Sequence, residues 1–385
     1  MGKGIERESV SEEKSRLFSG AGFGFFHTIL MAFAMIIPAF YFSSLNISIV
    51  TYGFLLTIGD FFSFLLKPYL GYMTDKYGER RFLLACTFLF FISLFFIGFT
   101  DSVITILSLK IISGIASALL YVLIMIYGLR EVNENPDKKV GTFGAIKESG
   151  WILGLLIPGL IVDKFGIKPA FYIIFIVGVF WFYFMYKLTK KYKYNAKVRV
   201  KASFSFLRKI PLLVILKSMD LAVFTAFLFF FTRFALKSLG LSRSVVSMIV
   251  VVEVLFFSLT QYLVSRVSNR SKRKYWIPAC IISHLVGIII MLNASSLPHY
   301  FIASIFFGVA GGFIDVWLFS RISESVEKYD KGLFYGTFGW SYDLATIIGG
   351  QMPVLFVLLG LNQFASMFVF PGIMLIGYLL TKKRD

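Results

Sequence analysis

Apolar stretches of membrane-spanning length recur along this whole 385-residue chain, and no other feature constrains its fold as tightly. A helix of about 20 apolar residues crosses the ~30 Å hydrocarbon core of a bilayer and satisfies its own backbone hydrogen bonds there. Composition agrees, with 57% hydrophobic and 16% charged residues; a soluble domain has about 45–50% and a quarter. Twelve spans are predicted, at about 17–45, 48–73, 82–99, 102–128, 141–163, 168–189, 209–236, 244–266, 275–293, 298–320, 333–359 and 362–381. The expected fold class is therefore an all-α membrane protein. Cys86 and Cys280 both fall inside spans, which argues against a disulfide framework. The N-terminus is read as a charged tail, with no cleavable signal peptide expected.

The stretch Lys187–Lys209 is the one long hydrophilic interruption, with nine basic residues and no acid. It divides the chain into a tail (1–16), a six-span half (17–189), a basic linker (190–208), a second six-span half (209–381) and a short tail (382–385). If both termini are cytoplasmic, 30 of the 39 Lys and Arg lie on the cytoplasmic side and only Lys164, Lys168, Lys237 and Arg243 outside. That is the positive-inside bias of a multi-pass protein of the cell membrane. The net charge of +18 is thus assigned to topology and contact with anionic lipids, and nucleic-acid binding is not expected.

The halves repeat one another. "GTFG" occurs at Gly141–Gly144 and at Gly336–Gly339, and the same 195-residue offset sets Glu148 on Asp343, Gly154 on Gly349 and Pro158 on Pro353. Cys86 matches Cys280 at an offset of 194, and Asp60 matches Glu253 at 193. Two pseudo-symmetric bundles of six helices with a site between them near mid-membrane are the expectation.

Between spans 2 and 3 stands "GYMTDKYGERR". This resembles the loop signature of the major facilitator superfamily, with Gly71, Asp75, Lys76, Gly78, Arg80 and Arg81 in register. The resemblance implies a secondary transporter rather than an enzyme. It implies further that Gly71 serves a tight turn and that Asp75 caps the start of span 11 beside Arg130, holding the cytoplasmic gate shut. Weaker likenesses cover "KIISGIASA" in span 4, with Lys110 where Arg is usual, and Gly150, Gly154 and Gly159 in span 5. The resemblance covers nearly the whole chain and leaves the substrate open.

Gly141, Gly144 and Glu148 share one helix face, as do Gly336, Gly339 and Asp343. Small residues let membrane helices approach closely, so these four glycines are read as packing contacts with an acid a turn deeper. In the family fold, span 5 packs on span 8 and span 2 on span 11. That implies two carboxylate pairs, Glu148 with Glu253 and Asp60 with Asp343, of which at least one shares a proton and carries proton coupling, unless Lys147 or Lys217 neutralises an acid directly.

Charges deep in a membrane must face a partner or a cavity. Those recognised are Asp60, Lys110, Lys147, Glu148, Lys217, Asp220, Glu253, Asp315 and Asp343, whereas spans 3, 6, 9 and 12 carry only His284. The family's lipid-facing helices are those four. His27, Lys110, Tyr121, Lys147, Lys217, Asp220 and Asp315 are taken as cavity residues. Lys217 and Asp220, at i and i+3, are close enough to neutralise each other. Arg233 is expected to snorkel to the headgroups.

No phosphate-binding Gly-rich loop is present, so ATP is not the driving force, and scattered His27, His284 and His299 do not make a metal site. No cofactor is expected. The reading is a monomeric transporter that moves a small organic solute by alternating access with protons as partner. Efflux of amphipathic, often cationic compounds is favoured, because deep acids outnumber deep lysines. Proton-coupled uptake of a sugar or polar metabolite, and a lipid flippase, are the alternatives.

Overall fold

A chain in lipid must pair every backbone amide within its own segment, and this one does so as helices. The computed structural model describes residues 2–77, 79–129, 136–191, 211–267, 273–326 and 331–382. Its helices are α1 (Gly2–Ser44), α2 (Ile49–Tyr77), α3 (Glu79–Ile97), α4 (Val103–Leu129), α5 (Pro136–Phe165), α6 (Ile167–Lys191), α7 (Pro211–Ala226), α8 (Arg243–Val267), α9 (Trp276–Leu292), α10 (Leu297–Val326), α11 (Lys331–Leu358) and α12 (Val369–Lys382). A π-helical turn, Phe227–Phe231, carries α7 into a last stretch, Thr232–Lys237. Nine described segments are long and apolar enough to cross a membrane, and Val103–Ala118 and Trp276–Leu292 are shorter apolar helices. No strand occurs among the described residues.

Two differences from the sequence reading concern the ends of elements. The segment read as a charged tail is helical, since α1 starts at Gly2; its run of Glu, Lys and Arg contains good helix formers and no proline. Gly71 occupies no turn, because α2 continues through Asp75 and Lys76 to Tyr77. The expectations at Gly78, at Arg130 and for most of the linker lie outside the described residues. Gly71, Asp75, Lys76, Tyr121, Gly141, Gly144 and Gly336 lie on helices, but their surroundings are likewise outside the description.

We call the face holding both chain ends the terminal face and the opposite one the distal face. Three distal connections turn on glycines with positive φ, Gly166 (85°), Gly240 (63°) and Gly360 (74°), the left-handed conformation that commonly follows a helix end. Within the first half α5 packs on α1, and α4 on α2 and α3; within the second α11 packs on α7, and α10 on α8 and α9. Across the halves α5 packs on α8 and α2 on α11, as the sequence reading expected.

Glycines set these approaches. A Cβ at Gly154 would strike Ala32 and Ile29 of α1, and one at its repeat partner Gly349 would strike Ala222 and Thr225 of α7. The α2–α4 crossing brings Gly59 against Gly114, and the α8–α10 crossing brings the Glu253 backbone against Gly308. Both members of the second crossing lie 194 residues beyond those of the first, so Gly59 is the structural counterpart of Glu253. The 193-residue alignment of Asp60 with Glu253 is one residue out of step.

At Gly114 the collision would be with backbone, all of it nearer than 3.0 Å, so no side chain can rotate away. Gly114→Ala should separate α2 from α4 and lower stability by about 1–3 kcal/mol. Gly372→Ala, which meets open space, is the control. Thermal unfolding in detergent checks this, and equal midpoints for the two variants would remove the packing argument.

Candidate functional site: a charged cavity between the halves

The helices that cross between halves leave a cavity, about 1540 Å³ with the open solvent at its mouth included. His27, Asp60, Lys110, Lys147 and Glu148 reach it from the first half, and Lys217, Asp220, Glu253 and Asp343 from the second. Apolar walls come from Trp151, Phe224, Phe229, Phe257 and Phe307, with Trp151 and Phe224 meeting edge-to-face across the halves at 5.8 Å. Nine of the sequence-expected charged or titratable residues thus converge on one place. Asp315 does not reach the wall; it is 1% exposed behind Lys217, to which it is ion-paired.

Burying ions is costly unless opposite charges meet, and most of these charges meet. Lys217 Nζ lies 2.9 Å from Asp220 Oδ2 and also holds Asp315. His284 Nε2 sits 3.0 Å from Asp220 Oδ1, so α9, expected to face only lipid, contributes a buried cavity residue. An imidazole can turn one polar edge inward from an otherwise apolar helix. Lys147 Nζ is 2.5 Å from Glu148 Oε1.

The sequence reading missed Lys67 altogether. It lies near the polar end of span 2, where a lysine reads as an interfacial residue, yet its ammonium is 2.6 Å from Asp343 Oδ2 and donates to the Gly339 carbonyl at 2.9 Å. Ser63 donates to Asp343 Oδ1 at 3.0 Å. Contact between α2 and α11 therefore brings a lysine to Asp343 rather than a second acid, while Asp60 lies within electrostatic reach. Glu148 likewise has its own lysine. The two expected carboxylate pairs do not form as hydrogen-bonded pairs among the described residues, because a lysine takes one member of each, Glu148 and Asp343.

Glu253 differs from the other acids. It is 4% exposed, and among the described residues its Oε2 has no hydrogen-bond partner and no lysine is paired with it; the nearby charge acting on it is the like charge of Asp220. His27 Nδ1 is also buried without a partner among the described residues. Donor atoms of Asp220, Cys280 and His284 lie within 4.8 Å of one another. The ammonium of Lys217 already occupies the other oxygen of Asp220, so a divalent cation there would face a fixed positive charge.

The distal face is sealed by hydrogen bonds between the halves. Asp163, at the end of α5, accepts from the Arg243 and Ser244 amides at 3.0 and 2.8 Å, the unsatisfied donors of the first turn of α8. Tyr52 donates to the Phe229 carbonyl at 2.9 Å, and Gln351 donates to Thr57 at 2.7 Å. Arg233 does not snorkel outward: it donates to the Ile47 carbonyl at 2.9 Å and covers the Tyr52 ring at 4.8 Å.

Asp163→Ala should loosen this seal. Discounted for exposure, the cap is worth about 1 kcal/mol, so the distally open population should rise about fivefold. Spin labels at Phe165→Cys and Leu239→Cys, both exposed positions whereas the native Cys86 and Cys280 are buried, would report it as a longer distance. An unchanged distance distribution would show that the cap does not hold the face shut.

Two helical bundles around a charged central cavity, sealed at one face, define a membrane transporter. The chain belongs to the Major Facilitator Superfamily, whose family model matches residues 18–236 and 223–383. The chain is 27% identical over 121 residues to an uncharacterized MFS-type transporter, YuxJ, of Bacillus subtilis (strain 168), a match spanning 31% of each protein. It is 25% identical over 121 residues to the multidrug resistance protein MdtG of Serratia proteamaculans (strain 568), spanning 31% of this chain and 29% of that one. These matches span about a third of either curated relative. The crystal structure of a mutant of the nucleoside transporter NupG shares the fold with a TM-score of 0.68 at 14% identity, over 94% of this chain and 98% of that one.

Proposed function

We propose that this protein is a proton-coupled secondary transporter that exports small amphipathic organic solutes by alternating access. The observation that carries the coupling is Glu253, a cavity acid with no cation beside it among the described residues. An ionised carboxylate in that setting costs at least about 2.5 kcal/mol, a cost that a bound proton removes. Opening the cavity to water on either face would let the proton leave. Export of amphipathic compounds draws support from the aromatic walls and from the name of the MdtG relative.

On this reading both halves rock as units, with boundaries near 17–189 and 209–381, around the cavity of a monomer. The termini are cytoplasmic, basic surface residues meet anionic lipids, and Asp75 would cap the start of α11 in the opposite state, as Asp163 caps α8 in this one. Purified protein in liposomes, offered a panel of labelled amphipathic solutes, sugars and nucleosides with and without an imposed pH gradient, tests it. Accumulation of an amphipathic solute only under the gradient is expected. Accumulation without a gradient refutes proton coupling, and gradient-driven uptake confined to sugars or nucleosides refutes the substrate class.

A further inference from the structure

The lysines of the cavity are not equivalent. Lys67, Lys147 and Lys217 each ion-pair with an acid. Lys110 lines the cavity from α4 and is 8% exposed, and its ammonium makes no hydrogen bond or ion pair among the described residues; Asp60 acts on it only through space. Its placement is built in: the crossing at Gly59 and Gly114 presses α2 and α4 together beside it. Around it the hydroxyls of Ser113 and Ser117 have spent their donors on the Lys110 and Gly114 carbonyls, at 2.9 and 2.8 Å.

Resting on the transporter reading above, we propose that Lys110 is an anion-recognition point, and that the preferred substrates are amphipathic anions with an aromatic or apolar body. A buried ammonium with three N–H donors and no bonded acceptor calls for one, and a carboxylate, sulfonate or phosphate supplies it with a charge-assisted hydrogen bond. His27 of α1 offers a second polar edge, and the ring walls receive the apolar body. This reverses the expectation of cationic substrates, which rested on counting acids against lysines. Adding Lys67 brings the lysines to four, and the pairs consume most of the acids.

The charged or titratable groups that line the cavity on elements packed against α4 are Asp60 and Lys67 on α2, His27 on α1, and Tyr342 and Asp343 on α11. Of these Asp60 is the competitor, since it supplies the negative charge that a bound anion would replace. Neutralising Asp60 should therefore strengthen anion binding, whereas a purely structural Lys110–Asp60 pair would be damaged by removing either member.

The test is binding, followed by quenching of Trp151 in purified protein, of three matched probes: 2-naphthoate, 2-naphthamide and 2-naphthylmethylammonium. The native protein should bind naphthoate at least about tenfold more tightly than the other two, a difference of about 1.4 kcal/mol. Lys110→Met should abolish that preference, Lys110→Arg should keep it, and Asp60→Asn should tighten naphthoate by a few-fold. Naphthoate that binds no better than the amide or the amine, or does not saturate, overturns the proposal. So does an unchanged preference in Lys110→Met, or a joint loss in Lys110→Met and Asp60→Asn variants that remain monodisperse. Because binding is read without transport, anion preference without pH-driven accumulation would refute proton coupling alone.

Discussion

Glu253→Gln should abolish pH-driven accumulation while leaving solute exchange within about twofold of native. The amide keeps the shape of the side chain but cannot release a proton, so each transport cycle loses its coupled ion. A gradient of one pH unit stores about 1.4 kcal/mol per proton, or about tenfold accumulation, and the variant should level off at the outside concentration. Amide substitution at Glu148 or Asp343 tests the assignment from the other side. Each leaves a lysine without its acid, so losses there should include exchange and stability as well as accumulation. If Glu253→Gln still concentrates solute, coupling resides elsewhere in the cavity. Because Glu253 has no cation to strand among the described residues, its neutralisation should not lower the thermal midpoint.

The opposite holds for Lys217, the largest stability effect expected. Its ammonium is fully buried and holds Asp220 and Asp315 together. Lys217→Met leaves two carboxylates facing each other in a low-dielectric setting, and breaking a buried ion pair in this way costs about 3–5 kcal/mol. A triple variant that adds Asp220→Asn and Asp315→Asn should recover most of that loss, since the buried charges vanish together. Measured unfolding midpoints decide the matter: a Lys217→Met protein as stable as native would mean that water reaches the site and screens the acids.

Much of the architecture was legible because it is written twice. The offset that sets Glu148 on Asp343 also sets Gly154 on Gly349, and in space those glycines press α5 onto α1 and α11 onto α7. Alignment by letters failed at Asp60 and Glu253, because neither the backbone approach at Gly59 nor its equivalent at the Glu253 carbonyl leaves a mark in hydropathy. Which charges pair was hidden for another reason. Lys67 sits where a lysine ordinarily reaches for headgroups, and its long, flexible side chain turns inward only because α11 delivers Asp343 within reach. His284 was obscured by the apolar helix around it, while Glu253 looked like every other buried acid until its neighbours were known.

The π turn at Phe227–Phe231 has a bearing on the seal that none of its side chains reveals. One residue more than an α-helical turn requires is taken up there, which advances everything beyond it by about 100° around the axis. On the near side, α7 aims Lys217, Asp220 and Phe224 at the cavity; on the far side the shifted phase aims Arg233 at Tyr52 and Ile47 of the opposite half. A single continuous helix could not keep both faces in those directions. The extra residue thus works as a gear between two angular settings, one for binding and one for latching. Deleting one phenylalanine from the turn would leave the cavity charges in place and rotate the latch out of mesh.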